Sequence, residues 1–222
     1  MDRVRFLSKV VLAVSVSLAL ALTCSCSSDI DPEDGGNEGN SGTFTDNRDG
    51  NVYKWVKIDK QIWMAENLNF NVNGSKCYDN DPANCVKYGR LYNWSMAMNA
   101  CPTGWRLPSD TEWNALMIAV GGSSTAGIKL KATNGWYDPG YTYIDIGDYI
   151  PGTDSYGFSA LPSGYSEPSG FFGGLGIYAS WWSASSADNT SAVRYFMFYD
   201  AVNVGKGSGF ITNFNSIRCM HN

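Results

Sequence analysis

A chain of 222 residues with 21 Asp/Glu against 16 Lys/Arg carries a formal charge of −5. That balance argues against a nucleic-acid binder, and against a protein drawn to anionic lipid headgroups, because both need basic patches. Hydrophobic residues make up 44% of the chain and aromatic ones 14%, enough for a packed core and too much for a disordered chain.

The N-terminus comes first in chain order. Residues 1–9 carry Arg3, Arg5 and Lys9, and residues 10–23 form a charge-free run rich in Val, Leu and Ala. A basic start before a short apolar stretch reads as a secretory signal. The run falls short of the ~20 residues that a spanning helix needs. It ends in Leu22-Thr23-Cys24-Ser25-Cys26, which resembles the lipobox of bacterial lipoproteins. The small Ser25 favours Cys26 as the lipidated residue, with Cys24 the alternative. Residues 27–42 hold five acids among Gly, Asn and Ser and almost nothing apolar, the composition of a flexible tether. Acids directly after the cysteine also resemble the surface-export signal of lipoproteins in the Bacteroides group. The implied location is the outer membrane, lipid-anchored, at the cell surface.

Residues 43–222 are of single-domain length. Residues 1–26 hold three Lys/Arg and one Asp, so the remainder carries a charge of −7. Four cysteines follow Cys26: Cys77, Cys85, Cys101 and Cys219. An even number in an exported domain reads as two disulfides, with three possible connectivities. The short spacing of Cys77 and Cys85 favours a local staple, and Cys101 with Cys219 would then close most of the domain. A structural metal finds no CxxC pair here, and the sole His221 is the penultimate residue.

Alternation over residues 52–58 and the run 61–65 predict a hairpin, entered through the Asp49-Gly50 turn. Helical spacing of Leu91, Trp94, Ser95 and Met98 predicts a helix within residues 88–99. A second helix starts at Ser109, whose partner Glu112 completes a capping box. Trp113, Leu116, Met117 and Val120 form its apolar stripe, and Gly121-Gly122 ends it. Beyond Gly127 the chain turns to Gly, Ser, Tyr and Trp, with strand candidates at 128–132, 156–161, 179–183, 193–199 and 216–220. Helices first and loop-linked strands after make an α+β class. The connections 134–154 and 162–178 are long, as functional loops often are.

Several ordered motifs carry a family resemblance. They are Trp63-Met64-Ala65-Glu66-Asn67-Leu68, Tyr88-Gly89-Arg90-Leu91-Tyr92-Asn93-Trp94 and Cys101-Pro102-Thr103-Gly104-Trp105-Arg106-Leu107-Pro108. Further along stand Gly157-Phe158-Ser159-Ala160-Leu161-Pro162, Trp182-Ser183 and Ser216-Ile217-Arg218-Cys219. In this order they resemble the Fibrobacter succinogenes major paralogous domain family. The resemblance implies a C-type-lectin-like domain with two helices and a loop-rich, mainly antiparallel sheet. It implies an exported surface protein and no particular activity. Arg106 is a departure, since many relatives carry His there.

No catalytic group stands out, and no cofactor is expected. His221 is poorly placed for a Ser–His–Asp arrangement, and the thiols are committed to disulfides. A carboxylate pair of the glycosidase kind is not singled out among the acids. Calcium is the one metal considered: Glu167-Pro168-Ser169 resembles a lectin tripeptide without its amide, and Asp138, Asp145, Asp148 and Asp154 share one loop. Arg106 and Glu112 either pair with each other or face a ligand. Aromatics on the Gly-rich loops have the character of binding hot spots. The candidate ligand contacts are Trp136, Tyr165, Phe171 and Trp181. On a strand, Trp181 and Trp182 point to opposite faces. The leading reading is a non-catalytic binding module for a glycan or protein ligand. A structural or adhesive envelope component and a two-carboxylate hydrolase are the alternatives.

Overall fold

The alternation at the start of the domain sets the first sheet. Strand β1 (Ser41–Thr45) pairs antiparallel with β2 (Val52–Ile58), and β2 turns back into β3 (Gln61–Met64). The hairpin predicted for residues 52–65 is therefore present, and β1 begins two residues inside the segment read as a tether. The computed structural model describes residues 39–137 and 149–222. The sheet is completed by β4 (Trp105–Arg106) and β10 (Met220–His221), in the order β1-β2-β3-β10-β4. The last strand thus inserts between β3 and β4 and closes the domain on its own beginning.

Among the described residues, four α-helices lie between β3 and the second sheet: α1 (Pro82–Tyr88), α2 (Trp94–Ala100), α3 (Asp110–Ala119) and α4 (Ser123–Leu130). Helix α3 has the expected capping box. The Ser109 hydroxyl accepts from the Glu112 N–H, and the Glu112 carboxylate accepts from the Ser109 N–H at 2.8 Å. The helix expected within 88–99 starts later. Asn93 caps α2, its side chain accepting from the Met96 N–H at 3.0 Å, while Tyr88 ends α1. The polar loop between Cys77 and Cys85 contains the start of α1, capped by Asp81.

The strand expected at 128–132 is the end of α4. Gly127 lets this helix lie against the backbone at residues 202–203, where a Cβ would strike the Asn203 carbonyl. Residues 156–161 form a turn with a single bridge, Lys131 to Ala160, in place of a strand. The candidates at 179–183 and 193–199 lie in β7 (Tyr178–Ser186) and β8 (Ser191–Phe198). With β5 (Ser163–Ser166), β6 (Phe172–Leu175) and β9 (Gly205–Phe210) they form a second sheet in the order β6-β5-β7-β8-β9. One pairing in it, β5 with β7, is parallel, and the rest are antiparallel. Four helices and two mostly antiparallel sheets make this an α+β protein.

Trp181 and Trp182 do point to opposite faces of β7, and both are fully buried. Trp181 joins a core with Trp63, Trp113, Phe158 and Tyr195; Trp182 joins a second with Tyr92, Trp105 and Ile217. Burying both indoles removes a large apolar area from water, the main favourable term in such a core. Both disulfides form in the expected pairing, Cys77 with Cys85 and Cys101 with Cys219.

Candidate ligand-binding cleft

One face of β8 runs from buried to exposed. Ala192 is buried in the second core, Arg194 and Phe196 are half-buried, and Phe198 is 42% exposed. Their partners across β7 are Tyr178 opposite Phe198, Ser180 opposite Phe196 and Trp182 opposite Arg194. The first sheet packs against the Trp182 end, while at the other end Tyr178 is buried and Phe198 opposite it is exposed. There the face forms the floor of a cleft of about 790 Å³. Tyr165, Tyr178, Phe196, Phe198 and Phe210 bring aromatic rings to it, and Glu167, Ser191, Asn213 and Arg194 bring polar groups.

Ring geometry ties the set together. Tyr178 meets Phe198 at 4.8 Å, Phe196 at 6.1 Å and Tyr165 at 5.8 Å between centroids, and Tyr165 meets Phe171 edge-on at 6.3 Å. These spacings suit aromatic pairs and fix the rings as one surface. The neighbouring strand β9 reads Gly205-Lys206-Gly207-Ser208-Gly209-Phe210, and its glycines share the cleft face because they oppose Phe196, Arg194 and Ala192. A Cβ on Gly205 would run into the Phe196 ring, and one on Gly209 would come within 3.0 Å of Arg194 Cδ. The glycines are the bed on which the Phe196 and Arg194 side chains lie.

Arg194 is held from several sides. Its Nε donates to the Ser208 carbonyl at 3.1 Å and its Nη1 to the Tyr178 hydroxyl and, at 3.4 Å, to Ser180 Oγ. The guanidinium lies 5.2 Å from the centre of the Phe196 ring. No carboxylate pairs with it among the described residues.

Of the candidate contacts named from the sequence, the structure brings Tyr165 and Phe171 to this cleft. Phe171 is 54% exposed beside it. Trp136 and Trp181 are corrections, since both are buried. Trp136 donates its indole N–H to the Ala160 carbonyl at 2.9 Å and stands 5.3 Å from the Lys131 ammonium. Trp181 donates to Asn67 Oδ1 at 2.8 Å in the centre of the core. The sequence reading missed Arg194, Phe196, Phe198 and Phe210. The available signal was the Gly-x-Gly-x-Gly alternation of β9, a strand without side chains on one face.

Arg106 and Glu112 pair with each other, with Nη1 to Oε2 at 2.7 Å. The Arg106 guanidinium and the Ser109 N–H and hydroxyl hold the Glu112 carboxyl at about 2. This pair locks the start of α3. Asp154 accepts from the N–H and hydroxyl of Ser159. Its loop companions Asp138, Asp145 and Asp148, like Cys24 and Cys26, lie outside the described residues.

A second, polar cleft of about 500 Å³ includes Tyr53, Glu66, Asn67, Asn69 and Asp154 in its lining. Beneath it lies Arg218, fully buried, donating to Asn67 Oδ1 and to the carbonyls of Met64, Phe158 and Ser159. Burial pulls its pKa down, and the nearby charges of Glu66 and Asp154 oppose that. Three of the motif segments, 63–68, 157–162 and its own 216–219, meet at this side chain. A model of the Fibrobacter succinogenes major domain matches residues 56–221. The chain belongs to this family. No match was found among curated proteins or among solved structures. In this member of the Fibrobacter succinogenes major domain family, segments 63–68, 157–162 and 216–219 build the frame around Arg218, and the aromatic cleft is built on β7, β8 and β9 with Tyr165 of β5.

Proposed function

We propose that this chain is a surface lipoprotein, anchored through Cys26, whose C-type-lectin-like domain is a non-catalytic binding module that holds a glycan in the aromatic cleft. The observation that carries the reading is the exposure of Phe198 and Phe210, at 42% and 64%, in the lining of one concavity of ligand size, with Phe171, 54% exposed, against the lining residue Tyr165. Exposed rings with a few fixed polar groups are the usual make-up of a binding site. Sugar rings suit it because their C–H faces stack on aromatic rings, while Asn213, Ser191 and Glu167 offer partners to hydroxyls. Among the described residues the cleft lining holds one carboxylate, Glu167, which supports binding over paired-carboxylate hydrolysis. The lectin-like assignment draws support from the α+β class and from the pairing of the last strand with the first hairpin. The basic, apolar and lipobox-like sequence of the N-terminus supports the anchor.

The test is a glycan array probed with the whole chain. Binding to a defined set of glycans is expected. A blank array, together with envelope proteins that co-purify with the chain, would transfer the cleft to a structural role.

A further inference from the structure

We propose that the cleft selects sugars that carry a carboxylate, with Arg194 as the residue that reads it. This rests on the reading of the cleft as a glycan site.

Three of the five guanidinium N–H groups are committed: Nε to Ser208, and Nη1 to Tyr178 and Ser180. The two on Nη2 have no acceptor among the described residues, and no acid pairs with the charge. An arginine stays charged at all relevant pH values, and three hydrogen bonds to fixed partners hold this one in a single orientation. A ligand that fills the cleft strips water from Nη2. A neutral ligand leaves that loss partly uncompensated, whereas a carboxylate returns a charge-assisted hydrogen bond, the stronger kind. The Phe196 ring under the guanidinium and the glycine bed of β9 keep it from swinging away to solvent.

Glu167 sharpens the selection. Among the described residues it is the one acid of the cleft lining, and its carboxylate accepts from Ser169 Oγ at 3.4 Å in the turn between β5 and β6. One cation and one anion among the described lining residues favour one carboxylate among neutral sugars, and a polyanion would be repelled at the Glu167 end. The ligand class is therefore a mainly neutral glycan with isolated uronic acid residues.

The probe is a xylo-oligosaccharide bearing one glucuronic acid, compared by calorimetry with the same molecule after its carboxyl is reduced to the alcohol. The whole chain is expected to bind the acidic form about tenfold more tightly, a difference of about 1.4 kcal/mol. Arg194→Gln should erase that difference between the two forms, and a tenfold preference for the acidic form that survives in this variant overturns the inference. Should Arg194→Gln fail to fold, the unaltered chain decides: added salt should weaken the acidic form alone. Equal binding of both forms, insensitive to salt, overturns the inference and leaves the glycan reading standing. Binding of neither form, with a blank array, overturns both. An oligoglutamate peptide bound as tightly as the acidic sugar overturns the inference too, because it points to a protein ligand.

Discussion

Asn67 and Arg218, 151 residues apart, share one oxygen: Asn67 Oδ1 accepts from Arg218 Nε at 3.1 Å and from Nη2 at 2.9 Å. The same oxygen takes the Trp181 indole N–H at 2.8 Å, and Asn67 Nδ2 donates to the Tyr88 carbonyl at 2.8 Å. This buried guanidinium forms no ion pair among the described residues, and these groups and three carbonyls surround it, with the charges of Glu66 and Asp154 near enough to favour its charged form. Asn67→Leu should therefore cost ~3–5 kcal/mol, the usual cost of leaving a buried charge short of partners. Urea unfolding of Asn67→Leu, Arg218→Met and the double variant checks this, and the double variant should lose much less than the sum of the singles.

The disulfides should contribute unequally. Cys101–Cys219 closes a separation of 118 residues and Cys77–Cys85 one of 8. In the chain-entropy account the longer loop is worth ~4–5 kcal/mol and the shorter ~2–3. Replacing Cys101 and Cys219 by Ala should lower the unfolding midpoint more than replacing Cys77 and Cys85.

Acid should weaken the cap of α3. The Arg106 guanidinium, with Ser109, holds Glu112 at about 2 against its ordinary 4.5. A depressed carboxylate contributes stability that is complete above about 4.5 and lost as pH falls toward 2. The Glu112 and Arg106 side chains are 23% and 41% exposed, so solvent screening limits the contribution to ~1 kcal/mol. Thermal melts between pH 6 and pH 2.5 should show Glu112→Gln less stable than the parent at pH 6, with the gap closing at the acid end.

Core and cleft aromatics should separate on stability alone. Trp136→Ala and Trp181→Ala should each cost ~3–5 kcal/mol, as large-to-small core changes do. Phe171→Ala should stay within about 1 kcal/mol, since more than half of the ring is already in water. Parallel thermal melts check this.

The anchor can be tested apart from the domain. Cys26→Ala should abolish incorporation of labelled fatty acid and release the protein from the membrane fraction. Loss of label in Cys24→Ala alone would move the site, and a parent chain that takes up no label would remove the anchor.

The parts of the fold legible in the sequence were those written in local chemistry. The 52–65 hairpin alternates, α3 is announced by Ser109 and Glu112, and the close spacing of Cys77 and Cys85 left Cys101 for Cys219. Strands β5, β6 and β9 are rich in Gly and Ser and are strands because of their neighbours, so propensity did not reveal them. Helix α4 was hidden for the opposite reason. The Ile128-Lys129-Leu130-Lys131 alternation imitates a strand, yet Lys131 is buried and donates to the carbonyls of Ile150, Phe198, Tyr199 and Ala201. At the site, Tyr165 and Phe171 were legible because they are aromatics in the Gly-rich segment 162–178, although Tyr165 proves to lie in β5. Phe196 and Phe198 were not: β8 is apolar on both faces, and only the place where the covering layer stops decides which residues meet solvent.

The most direct test of the binding cleft is one glycan array probed with the parent and with Phe171→Ala/Phe198→Ala, with thermal midpoints measured alongside. Both rings are exposed, so the double variant should melt within a few degrees of the parent. The parent should bind a defined set of glycans, and the variant should lose that binding about thirtyfold or more, the effect of removing a hot spot worth ~2 kcal/mol. A parent that binds nothing, or a variant that binds as the parent does, would contradict the account.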